Sequence, residues 1–472
     1  MENLLMGIDI GTSACKVTLF NRRGTPVAAA SETYATDYPK QGWAEQNPDD
    51  WWTAVCKALK SIWNESSINP ASVAGVGIDG QSWAAVAVDK DGGVLCPSPL
   101  WMDTRAADIC AELDKAIGKD NIYSVCGNPL QPTYTTPKIL WIKKNLPDVY
   151  SKAEFILQSN SFIVYRLTGG VSQDLSQGYG LHCFNLRKGV YEFDLCGEMG
   201  IKKSLLPEVV PCHHVVGTVT KAAAAACGTL GAGVLKTGQT QIQGGQAGGM
   251  SICTDKYNSS PKLITGFHVV PGHWLVQGGT VGGGGVLRWF RDEFSADESF
   301  DTLTAPANDV NAGSDGLVFL PYMAGERSPI WDEKAKGVYY GLDYTKTKAH
   351  FVRAAMEGVA FSVRHNIEVA ENAGAYAKDM YAMGGAANSP LWMQIKADIL
   401  KKQINVPSSD TATTLGAAML AGIATGIYNN FDEAVSETVS VKHRYEPDGG
   451  NFGVYDKNYK MYRQLYEQLS IR

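Results

Sequence analysis

Two glycine-rich turns contain the residues of this chain with the clearest chemical potential. The first is Asp9-Ile10-Gly11-Thr12-Ser13, the second is Gly244-Gly245-Gln246-Ala247-Gly248-Gly249, and apolar runs flank both of them. Glycine lets backbone N–H groups crowd around an anion, because no Cβ holds a phosphate away. The first turn adds two hydroxyls and the carboxylate of Asp9, which could hold a divalent cation. We therefore predict that the two turns bind a nucleoside triphosphate from opposite sides, and hence that the chain is an ATP-using enzyme with two similar halves.

Length and composition limit the class of protein. The chain has 472 residues, of which 44% are hydrophobic and 50 are glycine, and this length predicts two or three domains. A net charge of −6 with scattered Lys and Arg argues against a nucleic-acid partner. No apolar stretch is long enough to span a bilayer, so we expect no membrane partner. Ten cysteines without C-x-x-C spacing and the lack of a signal-peptide pattern predict reduced thiols and a cytoplasmic location.

The order of the elements predicts a duplicated α/β architecture. Apolar or alternating runs within residues 4–34 predict three antiparallel strands, and a helix is expected to start at Asn47-Pro48. Strands within residues 239–277, followed by helices, repeat this order. We therefore predict two halves with a cleft between them and a boundary near Gly238. The glycines at 278–285 do not fit G-x-G-x-x-G in any register, which argues against a Rossmann dinucleotide site.

Four segments in chain order resemble the FGGY family of carbohydrate kinases. The segments are residues 6–13, 41–46 with 50–52, 136–142 and 384–392. The first resembles the family's first phosphate turn, the second is similar to the xylulokinase branch, and the last two resemble the family signatures. The resemblance implies the actin-like, RNase H-like ATPase fold. It also implies one domain at residues 1–238, with the sugar and the first phosphate loop, and a second at 239–472, with the second phosphate loop and adenosine.

The resemblance also implies ATP and Mg²⁺ as cofactors. Asp9 would hold the metal directly or through water, and the hydroxyls and Lys16 beside it would contact the phosphates. The residues that the resemblance assigns to nucleotide or metal are Asp9, Gly11, Thr12, Ser13, Lys16, Gly244, Gly245, Gln246, Gly284, Gly385 and Asn388. Two alternatives stay open: the glycines at 244–249 could form only a tight hairpin, and those at 282–285 could serve close helix–strand packing.

The sugar site is expected at two further segments. Asp79-Gly80-Gln81-Ser82-Trp83 lies where xylulokinases carry a Gly-Gln-Met-His run that holds the ketose, so Ser82 and Trp83 replace Met and His. Trp83 would stack on a sugar or form a wall of the core. In the second segment, Trp101–Arg105, Asp103 would accept hydrogen bonds from sugar hydroxyls while Arg105 orients it, or the two would form a structural pair. A ketose, a polyol or a sugar acid all remain open as substrate.

One expected residue is missing. In the family the catalytic base is an Asp on a strand of the type Pro-Val-Val-x-Gly-Gly-x-Asp. We expect its position here near Ala224, before a helix at Ala226–Gly233. Neither that strand nor an acid is found there. Either the chain has lost both, or a segment that carries them is missing from the sequence. Loss of a general base costs about 10²–10⁴-fold in rate.

These observations predict an ATP-dependent kinase that phosphorylates a hydroxyl of a small ketose or polyol in carbohydrate catabolism. The alternative is a catalytically impaired regulatory protein that binds sugar and nucleotide. An actin-like structural ATPase is disfavoured, because it has no use for a sugar pocket. The expected partner is a small sugar or polyol, and a homodimer stays open.

Overall fold

The computed structural model describes residues 3–66, 68–217, 232–245, 247–408 and 411–469. The chain forms two compact units. The first consists of Met1–Leu235, Thr265–Trp274 and Thr411–Val439, and the second of Lys236–Ile264, Leu275–Asp410 and Ser440–Arg472. The division at 235/236 is close to the predicted boundary at Gly238, but two later segments return to the first unit. None of the helices in the described ranges is long and apolar enough to cross a membrane.

Short strands alternate with helices throughout the chain. The strands are β1 Leu4–Ile10, β2 Ala14–Phe20, β3 Pro26–Thr33, β4 Glu45–Gln46, β5 Val73–Gly80, β6 Val86–Val88, β7 Ser98–Pro99, β8 Phe155–Leu157, β9 Ser172–Asp174, β10 Phe184–Asn185, β11 Val190–Tyr191, β12 Glu208–Val210, β13 Gln239–Gly244, β14 Gly248–Thr254, β15 Ile264–Phe267, β16 Trp274–Thr280, β17 Val318–Leu320, β18 Val338–Tyr340, β19 Asp379–Met383, β20 Ile404–Pro407 and β21 Val441–Tyr445.

The α-helices of the described residues cover both units. They are α1 Pro48–Glu65, α2 Ala107–Ala116, α3 Lys119–Cys126, α4 Thr135–Asn145, α5 Pro147–Lys152, α6 Ser159–Thr168, α7 Phe193–Met199, α8 Gly284–Phe294, α9 Phe300–Thr304, α10 Lys348–Asn372, α11 Pro390–Leu400, α12 Ala412–Ala424, α13 Phe431–Thr438 and α14 Phe452–Leu469.

The sheet of the first unit has the order β3-β2-β1-β5, with β1 antiparallel to β2 and parallel to β5. The predicted strands within residues 4–34 are confirmed. Helix α1 starts as predicted: the Asn47 side chain accepts a hydrogen bond from the N–H of Asp49, and proline takes the first turn. Trp51, Val55 and Ile62 then share the buried face of α1 with the apolar side chains of this sheet. The three-strand and helix pattern therefore forms one core.

A pair of glycines brings α12 against the same sheet. Gly7 and Gly77 are partners in the β1–β5 register. A Cβ on Gly7 would lie 1.8 Å from the carbonyl oxygen of Thr414, and one on Gly77 would lie 1.9 Å from that of Ala417. The helix backbone therefore occupies the volume that side chains would need. This contact explains why residues 411–439 belong to the first unit.

In the second unit β13 lies between β14, which is antiparallel to it, and β19, which is parallel. β20 continues the sheet parallel to β19, and β21 closes this side antiparallel to β20. Because β13 and β19 are parallel, their carboxyl ends meet at one edge of the sheet. The glycine segments 244–245 and 384–385 follow at that edge.

The surface at Gly7 and Gly77 on which α12 packs, here called the glycine groove, yields a prediction about stability. We expect Gly77→Ala to lower the free energy of unfolding by about 2 kcal/mol or more, because its methyl group overlaps the backbone of α12. Chemical denaturation measures the change. Gly197→Ala is the control, because no atom lies within 4 Å of the added Cβ in helix α7. The control should leave stability unchanged or raise it by up to about 1 kcal/mol. Equal changes in the free energy of unfolding for the two variants would contradict the close packing of α12 on the glycine groove.

Candidate active site

The first glycine turn joins the antiparallel strands β1 and β2. The N–H of Gly11 donates to the carbonyl oxygen of Ala14 at 3.1 Å. Three side chains hold the turn from outside: the Tyr34 hydroxyl donates to the Gly11 carbonyl at 2.5 Å, the Gln46 amide to the Thr12 carbonyl at 2.8 Å, and the Trp101 indole to the Thr12 hydroxyl at 2.9 Å. Ser13 and Lys16 remain exposed. The turn is rigidly held and still presents groups that can bind an anion.

Asp9 is a half-buried carboxylate at the end of β1. Burial raises its pKa to about 6, and the opposing charge of Lys16, its register partner on β2, reduces the rise. Such a carboxylate is costly to keep ionised without a cation nearby. Among the described residues no group of three or more His, Cys, Asp or Glu side chains could hold a metal. In proteins a single carboxylate can hold Mg²⁺ together with oxygens of phosphate and water.

Gly244, Gly245 and Gly284, which were predicted to face the phosphates, lie close together in the second unit. The N–H of Gly284 donates to the carbonyl of Gly245 at 2.8 Å. A Cβ on Gly283 would lie 2.3 Å from the carbonyl carbon of Ala247, and one on Gly244 would lie 2.7 Å from the Cβ of Ala386. Gln246 lies outside the described residues. Close backbone packing therefore accounts for several of these glycines, in agreement with the packing alternative, whether or not they also bind phosphate.

Asn388 lines a cavity of about 110 Å³ in the second unit, and Gly385 directly follows Gly384, another residue of the lining. The cavity is lined by Met383, Gly384, Ala387, Asn388, Pro390, Val406, Ser408, Lys442, His443 and Tyr445, among others. No atom lies within 4 Å of a Cβ placed on Gly385, so its backbone faces open space at the start of the short helix Gly385–Asn388. The sequence analysis did not include the residues from β21, although that strand alternates basic and aromatic side chains.

The segment predicted to bind the sugar, at the end of β5, is fixed by hydrogen bonds and ring stacking. The N–H of Gln81 donates to the carbonyl of Ile10 at 2.9 Å, which joins this segment to the first glycine turn. Ser82 accepts a hydrogen bond from the Tyr179 hydroxyl at 2.8 Å. Trp83 is 3% exposed, has a φ of 64°, and stacks on Tyr134 with ring centroids 4.2 Å apart. The position of Trp83 favours a wall of the core over a free stacking face.

Asp103 and Arg105 form a closed ion pair. Asp103 is fully buried, and it accepts hydrogen bonds from the N–H of Ala44 at 2.7 Å and from the guanidinium Nε of Arg105 at 2.9 Å. Arg105 also contacts Glu45 at 2.6 Å and lies 3.9 Å from the ring centroid of Trp43. This geometry favours the structural pair over a direct contact between Asp103 and a sugar.

Lys138 connects the two substrate segments. Its ammonium group is fully buried and donates to the carbonyl of Trp83 at 2.8 Å and to that of Leu100 at 2.7 Å. Burial lowers the pKa of Lys138 to about 7. Lys138 belongs to the segment 136–142 that resembles the first family signature. Its contacts indicate that the signature positions the backbone of the site.

The base expected near Ala224 falls outside the described residues. The expected loss of its strand concerns the same stretch and stays a prediction. The strand β13, which leads into Gly244-Gly245, lies within the range 239–277 where strands were predicted, and its sequence is rich in glutamine. Thr240 and Ile242 are fully buried and Gln241 is 7% exposed, so this polar strand is an interior one.

Two acids were not assigned by the sequence analysis. Asp79 is the penultimate residue of β5 and the register partner of Asp9. Glu326 is 3% exposed and accepts from the N–H groups of Val281 and Arg327, both at 2.8 Å, which anchors the glycine segment 278–285. Burial raises the pKa of Glu326 to about 7, although these N–H groups oppose the rise. The signal for Asp79 was available: like Asp9, it follows an apolar run and lies within two residues of a glycine.

Comparisons with known proteins assign the chain and its fold to one family. The N-terminal domain of the FGGY family of carbohydrate kinases matches residues 4–241, and the C-terminal domain of the same family matches residues 248–425. The chain belongs to this family. It is an ATP-dependent sugar phosphotransferase, and the predicted actin-like ATPase fold is confirmed.

Several relatives are similar over nearly the whole chain. The xylulose kinase of Bacillus subtilis (strain 168) is 29% identical over 481 residues, which cover 98% of this chain and 96% of that protein. The gluconokinase of Bacillus licheniformis is 29% identical over 494 residues, with 98% and 94% covered. Among solved structures, the xylulose kinase from Rhodospirillum rubrum has a TM-score of 0.87 at 29% identity, with 99% of each chain covered. The gluconate kinase from Lactobacillus acidophilus has a TM-score of 0.90 at 26% identity, with 99% and 98% covered.

Asp9 yields a prediction that separates stability from binding. We expect Asp9→Asn to leave the melting temperature of the ligand-free protein unchanged or higher, because a carboxylate that is costly to bury is removed. Binding of ATP with Mg²⁺ should weaken by at least about 10–100-fold, as metal-site substitutions typically do. Isothermal titration calorimetry measures this loss. Asp91→Asn is the control, since its side chain is 76% exposed. Unchanged affinity for Mg·ATP in Asp9→Asn would exclude Asp9 as the metal ligand.

Proposed function

We propose that this chain transfers the γ-phosphoryl group of ATP to a hydroxyl of a small ketose or polyol, with Mg²⁺ bound at Asp9. One observation supports this most directly. The phosphate turn after β1 and the substrate segment after β5 leave the same edge of one sheet, and the Gln81 N–H donates to the Ile10 carbonyl at 2.9 Å. A nucleotide phosphate and a sugar hydroxyl bound by these neighbouring segments would be close together.

Different residues would bind the phosphates and the adenosine. Thr12, Ser13 and Lys16 would bind phosphate oxygens, and the cavity beside Gly385 and Asn388 would take the adenosine. The resemblance places Gly244, Gly245, Gln246 and Gly284 at the phosphates as well. Bound Mg²⁺ would neutralise charge on the phosphates. Because phosphoryl transfer passes through a loose transition state, positioning and charge neutralisation supply most of the catalysis.

We infer that β13 is the strand that carries the catalytic base in other family members. When the pattern Gly-Gly-x-Asp is placed on Gly244-Gly245, the Asp position falls on Ala247. The segment 244–249 contains no acid, and alanine cannot accept a proton. The proposed kinase therefore works with a weaker proton acceptor, such as water, and its turnover is expected to be slow.

This inference predicts a gain of function. Ala247→Asp should raise kcat by about 10²-fold, because a positioned general base contributes about 10²–10⁴-fold. Gln246→Asp places the same charge one residue earlier and is the matched control. Steady-state kinetics with the best substrate measures both variants. No gain from Ala247→Asp, or an equal gain from the control, would show that the base position is assigned wrongly.

A coupled assay of ADP release, run with the complete chain over a panel of ketoses and polyols, tests the proposed function. We expect sugar-dependent turnover for at least one panel member. Turnover should depend on Mg²⁺ and exceed the hydrolysis of ATP alone. Binding of ATP without turnover on any sugar would refute the kinase and favour the sugar- and nucleotide-binding regulatory protein.

A further inference from the structure

An exposed aromatic patch lies on α8 and at the start of α9 in the second unit. It consists of Trp289, Phe294 and Phe300, which are 38%, 62% and 39% exposed. The rings of Trp289 and Phe294 meet edge to face with centroids 5.6 Å apart, and the guanidinium of Arg291 lies 4.3 Å from the ring centroid of Phe300. On a soluble protein, an apolar patch of neighbouring exposed side chains marks an interaction surface.

The core of the second unit does not need the rings of this patch. The buried face of α8 consists of Val286, Leu287 and Phe290. Phe290 packs on Phe351 of α10 with ring centroids 6.4 Å apart, and the exposed Phe294 packs on Phe290 at 5.2 Å. Other side chains thus attach α8 to its own unit, and the aromatic patch stays available for a partner.

The exposed surface of α8 also carries charges of both signs. Arg288 directly precedes Trp289, and Asp292 and Glu293 lie in the last turn of the helix. Arg291 of the same helix binds Asp292 at 2.6 Å, but the Asp292 side chain is still 49% exposed. The side chains of Arg288 and Glu293 form no ion pair or hydrogen bond with the described residues of the chain. Along the helix, an unpaired cation therefore comes first and exposed carboxylates follow.

An antiparallel pair of α8 helices would match these charges. Residues four apart share a face of a helix, so Arg288 and Asp292 lie on one face. If two copies pack α8 against α8 about a two-fold axis between these positions, Arg288 of each copy faces Asp292 of the other, with Glu293 next to it. The Asp292 carboxylate can accept from two arginines, because its oxygens offer several lone pairs. An acidic or a basic partner would match only one of the two signs, whereas an identical copy matches both.

We propose that the aromatic patch is the centre of a two-fold interface between two copies of this chain, with their α8 helices antiparallel. Such an interface is self-complementary, because the same surface serves on both copies. Its residue types fit this role, since Trp, Phe and Arg are enriched at interfaces between proteins. The inference does not depend on the proposed function, because none of these side chains is assigned to nucleotide or sugar.

Sedimentation velocity of the complete chain over a wide range of concentrations tests the interface. We expect the wild type to dimerise reversibly and Trp289→Ala to raise the dissociation constant of the dimer at least about tenfold, because a buried Trp at the centre of an interface carries much of the binding energy. Tyr376→Ala is the control. Tyr376 is 61% exposed and follows the carboxyl end of α10, whereas α8 packs on Phe351 near the amino end of that helix. This control should leave the dissociation constant unchanged.

Exchange of charges tests the antiparallel arrangement. In a homodimer of Arg288→Glu, negative charges face each other across the two-fold axis, and in a homodimer of the double variant Asp292→Lys/Glu293→Lys, positive charges do. Each of the two variants alone should therefore dimerise at least about tenfold more weakly than the wild type. When one variant carries a fluorescent label and the two are mixed, we expect a heterodimer of nearly wild-type affinity, because every cation again faces a carboxylate.

Circular dichroism verifies that each variant is folded before its association is measured. A wild type that stays monomeric at every concentration would overturn the inference. A dimer that neither Trp289→Ala nor the charge variants weaken would also overturn it, and so would a mixture of the two charge variants that forms no heterodimer. Weaker association of both charge variants with recovery on mixing would support it. The ADP-release assay tests the kinase separately, so the two proposals can fail independently.

Discussion

The parallel, in-register pairing of β1 with β5 is the constraint on which the first unit depends. It places Gly7 beside Gly77, which leaves the space that the backbone of α12 fills. Two residues further along, the same pairing places Asp9 beside Asp79 at the carboxyl edge, where ligands bind in open α/β sheets. A shift of one residue would remove the groove and separate the two carboxylates. Packing and chemistry in this unit therefore depend on the same register.

The second unit uses glycine in a different way. Three glycine segments approach each other through their backbones. Gly284 donates to Gly245, Gly283 lies against Ala247, and a Cβ on Gly384, whose φ is 85°, would lie 3.0 Å from the carbonyl group of Gly244. These contacts require the absence of a Cβ whether or not a phosphate is bound. A glycine-rich sequence is therefore weak support for a phosphate site by itself. Gly385 is more informative, because the position of its missing Cβ is open.

Local patterns predicted the elements that depend on neighbours in the sequence. The strands within residues 4–34 and the start of α1 at Asn47-Pro48 follow from alternation and from helix capping, which are local properties. The partner of α12 could not be predicted, since its small residues indicate a helix but not that it packs on Gly7 and Gly77. The interior strand β13 was predicted within residues 239–277, although its glutamines interrupt the apolar pattern. The role of Glu326 could not be predicted, because only the tertiary structure brings it to the glycine segment 278–285.

The fold does not determine which sugar this family member accepts. A xylulose kinase and a gluconokinase are each 29% identical to the chain, and the solved xylulose kinase and gluconate kinase have TM-scores of 0.87 and 0.90. Neutral and acidic substrates thus occur among proteins that share one backbone. The discrimination therefore depends on side chains rather than on the backbone, and charge is the property on which the two substrate classes differ most.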